Sequence, residues 1–146
     1  MNQPRPGPPA RLPFLDTNVL LYAISTHPAE APKRDIARAL LDGDDVALSV
    51  QVLQEFYVQA TRATRADALS HQLAAGLVRT WLRFRIQETT VAIVLDALDI
   101  RANHRLSYWD AAIVAAARAL GCAELLSEDM ADGQQIDGLV IRNPFR

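Results

Sequence analysis

Apolar residues fall along this chain in short runs separated by longer amphipathic stretches, with capping residues at the joins. Leu12 to Leu15 reads as a brief strand that breaks at Asp16-Thr17-Asn18, residues suited to capping a helix through Tyr22. A second helix is expected from about Ala31 to Leu41, stopped by Gly43, before a short strand over Val46-Ala47-Leu48. Ser49 then caps a third helix running to about Thr64. Val52, Leu53, Phe56, Tyr57 and Ala60 form its apolar stripe, while Gln51, Glu55, Gln59 and Arg62 line another face, away from the main core.

The second half repeats the alternation. Asp67 to about Phe84 reads as an amphipathic helix despite Gly76, and Arg85-Ile86-Gln87 as a weak strand. Thr89 or Thr90 opens a helix through Leu95, Leu98 and Ala102 toward Leu106. Ser107 caps another, containing Asp110, Ile113, Val114, Ala117 and Leu120 and closed by Gly121. Strands follow at Ala123 to Leu126 and Leu139 to Ile141, with a turn-rich segment from Ala131 to Gly138 between them. Strands alternating with helices predict an α/β fold: a single domain with a mostly parallel central sheet and helices on both faces.

Composition narrows the class. A length of 146 residues suits one α/β domain, and 50% apolar with 22% charged residues is ordinary for a globular chain. The formal charge of -2 offers no global attraction for a polyanion, so any nucleic acid has to be held locally. No apolar stretch approaches the roughly 20 residues that span a bilayer, which predicts no membrane partner. The Pro-rich N-terminus lacks the continuous apolar run of a secretory signal; residues 1–11 read as a flexible arm and residues 12–146 as the folded domain. Cys122, the lone cysteine, reads as a buried thiol, compatible with a cytoplasmic location.

In open parallel sheets the ligand site lies at the carboxyl ends of the strands, where strand order reverses. Asp16 closes the first strand, Glu55 lies in the second turn of the helix after the second strand, and Asp129 follows the strand ending at Leu126. Asp110 opens the helix leading into that strand and returns to the same edge if Arg85-Ile86-Gln87 is a strand. Singly, Asp16 and Asp110 pass as helix-terminus residues, Glu55 as a solvated face and Asp129 as a turn former. Jointly they form a carboxylate cluster. Such clusters repel unless protonated or bound to a cation, and an all-oxygen set suits Mg2+, with Mn2+ as a substitute, rather than zinc. Phosphodiester hydrolysis is the natural reaction. Asp16 is then the central ligand, Asp110 and Asp129 further ligands, and Glu55 a ligand or the orienter of the attacking water. Thr17, Asn18 and Ser127 are supporting positions that can hydrogen-bond metal-bound waters.

The segments FLDTNVLLY, SVQVLQEFY, SYWDAAIVAAA and LLSEDMADG, with the acids in this order, resemble the PIN-domain nucleases, in particular the VapC-like toxins of bacterial toxin–antitoxin pairs. The resemblance covers nearly the whole chain. It implies a magnesium-dependent endoribonuclease with Asp16, Glu55, Asp110 and Asp129 as its acidic site, a homodimer, and neutralisation by a small cognate antitoxin. The arm before Leu12 is longer than the usual start of that family.

Arg62 and Arg65 near the end of the Glu55 helix, and Arg79, Arg83 and Arg85 interleaved with Trp81 and Phe84, are candidate RNA contacts. Their ordinary reading is a solvated helix face, with Trp81 and Phe84 in the core or a dimer interface. Tyr108 and Trp109 are expected to anchor their helix start in the core, with a contribution to the rim of the site as the alternative. A phosphoacceptor receiver domain also holds magnesium at strand ends, but it resembles this chain poorly: the only lysine, Lys33, lies near the first helices rather than after the last strand. Haloacid-dehalogenase-like phosphatases need a second aspartate that Asp16-Thr17-Asn18 lacks, and phosphate-loop enzymes need an absent Gly-rich loop. A non-catalytic PIN scaffold binding RNA or a protein partner is the remaining alternative, disfavoured by the intact acidic set.

Overall fold

A computed structural model describes residues 12–146; the arm expected over residues 1–11 lies outside them. Six strands form one sheet in the order β3-β2-β1-β4-β6-β5. β1 (Phe14–Leu15), β2 (Ala47–Ser49), β3 (Arg85–Gln87), β4 (Glu124–Leu126) and β6 (Leu139–Arg142) run parallel, and β5 (Gln135–Ile136) pairs antiparallel with β6. The weak strand candidate is therefore real, and its register, Ala47↔Arg85 through Ser49↔Gln87, places it at one edge. The chain winds outward from β1 through β2 to β3 and then crosses back to β4 on the other side of β1. The order reverses between β1 and β4.

The helices are α1 (Thr17–Ala23), α2 (Ala31–Asp42), α3 (Val50–Ala60), α4 (His71–Trp81), α5 (Val91–Asn103) and α6 (Tyr108–Ala119). Right-handed crossovers put α1 to α4 on one face and α5 and α6 on the other. Contacts follow that division: α1 packs on α2 and α3, α3 on α4, and α5 on α6, which itself lies against β2, β3, β4 and β6. Hydroxyl side chains cap four helices. Ser49, Ser70, Thr90 and Ser107 accept from the amides of Val52, Leu73, Ile93 and Asp110 at 3.1–3.2 Å.

α6 is the most enclosed element. Ala111 to Ala117 are all buried because α5 covers the side that the sheet does not, and its alanines allow both neighbours to approach closely. α5 meets it with Ile93, Ala97 and Ile100, whereas Val91, Leu95 and Leu98 are exposed. Phe14, Leu15, Leu20, Leu48, Phe56, Ile113, Leu125 and Ile141 fill the space between sheet and helices. Cys122 is buried and unpaired, as expected, and burial pushes its thiol up to about 11.

Four boundaries differ from the sequence reading, one of them the end of α4 at Trp81 instead of about Phe84. α3 stops at Ala60, and the segment to Ser70 is an irregular loop whose Leu69 amide returns to the Ala60 carbonyl at 2.8 Å. α4 consequently begins at His71, behind the Ser70 cap, and not at Asp67. α5 ends at Asn103, short of Leu106. Within the turn-rich segment, Asp137 (φ 47°) and Gly138 (φ 89°) form a two-residue hairpin turn joining β5 to β6.

Candidate metal and nucleic-acid site

Asp16 leaves β1 at the point where strand order reverses and caps α1. Its backbone is still extended there, its Oδ1 accepts the Thr17 amide at 2.7 Å, and its amide donates to the Leu126 carbonyl of β4. The other oxygen, Oδ2, accepts the Ser127 hydroxyl at 2.7 Å and the Asn18 amide at 3.3 Å. Only 5% of the residue is exposed. Burial drives its carboxyl up to about 6. The Ser127 and Thr17 hydrogen bonds oppose the rise, and the neighbouring charges of Asp110 and Glu55 add to it.

The remaining acids approach from three other elements. Asn18 Nδ2 also reaches Asp129 Oδ2 at 3.2 Å and Ser127 Oγ at 3.3 Å, so one amide ties the β1 exit to the β4 exit. Thr17 Oγ1 donates to Glu55 Oε2 at 2.8 Å, and Gln51 Nε2 to Glu55 Oε1 at 2.7 Å, which turns Glu55 from α3 toward α1. Asp110 sits in the first turn of α6. Its carboxyl is raised by burial and by the charges of Glu55 and Asp129, against the lowering effect of Ser107. All four predicted acids thus share one electrostatic environment. Thr17, Asn18 and Ser127 touch the carboxylates directly, a closer role than bonding metal-held water.

This donor set is all oxygen and anionic, with one member almost fully buried, and a divalent cation would relieve its mutual repulsion. Among the described residues no three His, Cys, Asp or Glu side chains close around one point.

A second network, not foreseen from sequence, steadies the loop carrying Asp129. Glu128 accepts from Lys33 Nζ at 2.6 Å and from the Tyr22 hydroxyl, while its amide donates to Asn18 Oδ1 at 3.3 Å. Lys33 Nζ also lies 5.0 Å from the Tyr22 ring centroid, and Tyr22 meets Phe145 edge to face. Burial favours the neutral form of Glu128, but hydrogen bonds from Lys33 and Tyr22 outweigh it and hold the carboxyl below its usual range. Replacing Lys33 by Met is expected to speed amide exchange at Glu128 and Asp129 roughly tenfold, with little change in global unfolding. Unchanged exchange there would show that Lys33 is a bystander.

The arginines divide. Arg65 lines a cavity of about 240 Å3 together with Asn18, Tyr22, Glu30, Glu128 and Asp129, beside the acids. Its Nε lies 2.8 Å from Asp67 Oδ1, and Asp67 is anchored in turn by the Thr26 amide. Arg62 is exposed nearby, after α3. Arg83 bonds the Leu41 carbonyl at 2.6 Å and Asp44 at 3.2 Å, closing α4 onto the end of α2. Arg85 begins β3, at the opposite strand ends from the acids, and Arg79 is exposed on α4. Trp81 and Phe84 are buried, so the stacking considered for them does not arise; they fill the core. Trp109 departs from expectation in the other direction: it is 64% exposed, whereas Tyr108 packs partly against the core. An apolar groove of about 580 Å3 between α3 and α4, lined by Leu53, Tyr57 and Val78, includes none of the acids.

The PIN domain family profile matches residues 14–131, from β1 through the Asp129 loop. The chain belongs to the PIN-domain family, as its acidic motifs implied. Its fold is shared with a toxin–antitoxin complex from Klebsiella pneumoniae (TM-score 0.66, 22% identity, covering 90% of this chain and 96% of that one). It is also similar to the sarcin–ricin-loop-cleaving toxin VapC20 of Mycobacterium tuberculosis (TM-score 0.63, 21% identity, 80% and 91% covered). FitAcB from Neisseria gonorrhoeae is a third (TM-score 0.67, 20% identity, 92% and 99% covered). Comparison with curated protein sequences gives no match. No helix among the described residues is long and apolar enough to cross a membrane.

Proposed function

We propose that this chain is a magnesium-dependent endoribonuclease, the toxin of a toxin–antitoxin pair, hydrolysing RNA phosphodiester bonds at Asp16, Glu55, Asp110 and Asp129. The observation that carries the reading is the buried Asp16 at the sheet's reversal point, bonded to both flanking loops, subject to the charges of Asp110 and Glu55, and joined to Asp129 through the Asn18 amide. Membership of a nuclease family and the likeness to toxin structures support it.

Asp16 would be the central ligand, with Asp110 and Asp129 completing the oxygen set. Bound magnesium or manganese would supply Lewis acidity toward the phosphoryl oxygen and lower the pKa of water. Ser127 and Asn18 hold Asp16 in one orientation, and Thr17 and Gln51 do the same for Glu55, which would serve as a further ligand or orient the attacking water. Arg65, which lines the cavity beside Asp129, would meet a flanking RNA phosphate through the part of its guanidinium not turned to Asp67, with Arg62 exposed after α3 as a further cation. Arg79, Arg83 and Arg85 have less claim, since Arg83 is engaged within the fold and Arg85 lies at the far edge. The working protein would be a cytoplasmic homodimer held in check by a small antitoxin.

Expression in bacterial cells tests the toxin reading. Induction of the wild-type chain is expected to arrest growth and fragment a cellular RNA, with relief on co-expression of the small protein encoded beside it. Normal growth with intact RNA would count against the proposal.

A further inference from the structure

Trp109 is the most exposed aromatic side chain of the described residues, at 64%, and it immediately precedes Asp110. It lines a groove of about 350 Å3 with Gln51, Gln54, Glu55 and Val58. The indole does not stand alone: Val58, 55% exposed, lines the same groove, and a contiguous apolar patch beside an acidic cluster is the kind of surface that ligands cover. The groove opens on the side of Glu55, while the Arg65 cavity opens on the side of Asp129. One of the four acids thus lines each opening.

The ring is held rather than loose. Gln51 Nε2 bonds the Trp109 carbonyl at 3.1 Å while also donating to Glu55 at 2.7 Å, so one amide joins the start of α6 to the acidic site. Tyr108 meets the indole edge to face, with centroids 5.1 Å apart. Among the described residues no lysine or arginine lines this groove, and Glu55 brings negative charge to it. This lining offers a phosphate no cation. A flat apolar ring, flanked by the amide of Gln54, suits the face and polar edge of a base instead.

We infer that Trp109 is a stacking platform for an unpaired base of the RNA strand, next to the scissile phosphate on the Glu55 side. The inference rests on the nuclease reading for its ligand. With Arg65 across the acids, it gives the strand a direction over the site: a base on Trp109, the scissile phosphate at the carboxylates, and a flanking phosphate on Arg65. Stacking is tolerant of sequence, so this platform contributes affinity and registration more than base identity.

Fluorescence tests it, because Trp81 is the only other tryptophan and is buried. A single-stranded RNA oligonucleotide of mixed sequence, added to the cleavage-silent Asp16→Asn protein with magnesium, is expected to quench the exposed indole. In the otherwise wild-type enzyme, Trp109→Ala should raise KM for the same oligonucleotide by roughly five- to 150-fold, the usual loss for one stacked base, with kcat little changed. Trp109→Phe should recover most of that loss. Cleavage with no quenching and an unchanged KM in Trp109→Ala would overturn the inference while leaving the nuclease reading standing. So would a Trp109→Ala protein that keeps its KM but loses self-association or antitoxin binding, which would give the ring to a protein interface. Quenching by RNA with no cleavage by the wild-type chain would uphold the platform and sink the nuclease reading.

Discussion

Asp16→Asn is expected to fold and to lose about three orders of magnitude in RNA cleavage, the consequence of removing roughly 4 kcal/mol of metal-mediated charge stabilisation. The substitution is nearly isosteric, and Asn retains an oxygen that can accept the Thr17 amide, so the start of α1 survives. It loses the negative charge on the most buried of the four acids and disturbs the bonds from Ser127 and Asn18 to Oδ2. Turnover measured at saturating magnesium, with circular dichroism to verify the fold, checks this. Activity within tenfold of wild type would remove Asp16 from the centre of the mechanism.

The same substitution is expected to stabilise the metal-free protein at neutral pH. Burial raises the Asp16 carboxyl from 3.8 to about 6, so the folded state prefers its neutral form. Below about pH 4 both folded and unfolded chains carry the proton, and no cost arises. Between about pH 4 and 6 the unfolded chain ionises while the folded chain still holds its proton, so stability falls as pH rises. Above about 6 a constant penalty remains, on the order of 3 kcal/mol for a shift of this size. The stability advantage of Asp16→Asn over wild type should therefore grow across that window, level off above it, and shrink when magnesium is added. Urea unfolding of both proteins between pH 4 and 8, with and without the ion, measures it. An advantage independent of pH would mean that Asp16 is not held in a costly charged state.

The positions of the four acids are legible in the sequence because they follow the joins between elements. Asp16, Ser49 and Ser107 stand where short apolar runs end, and each is both a helix-capping signal and a position at the carboxyl edge of the sheet or the return to it. The acids that follow from those positions come together as expected. Local signals were weaker elsewhere. The alanines and arginines after Ala60 continue a helical pattern, but the Asp67 bond to Thr26 and the Leu69 bond to Ala60 impose a loop that composition does not announce. The Asp137-Gly138 hairpin carries a strong turn signal, yet the strand before it is only Gln135–Ile136, too short for periodicity to register.

Side-chain partnerships across long separations were the least legible. Lys33 meets Glu128 and Tyr22 meets the same carboxylate only because α1 and α2 lie beside the β4 exit. In sequence, Lys33 is a single lysine on an amphipathic helix. Trp109 is ambiguous in sequence for a related reason: close to a run of seven buried residues, an indole looks like core, and only the helix phase turns it outward. Arg83, conversely, looked available for RNA until its bonds to the end of α2 were seen.

The most direct test of the carboxylate site is the cleavage rate of one end-labelled RNA by chelator-stripped protein as magnesium is titrated back, with wild type and Asp16→Asn side by side. The expected result is no cleavage without the ion, a saturable rise with it in the wild type, and almost none in the variant. Equal cleavage in excess chelator, or parallel curves for the two proteins, would contradict it.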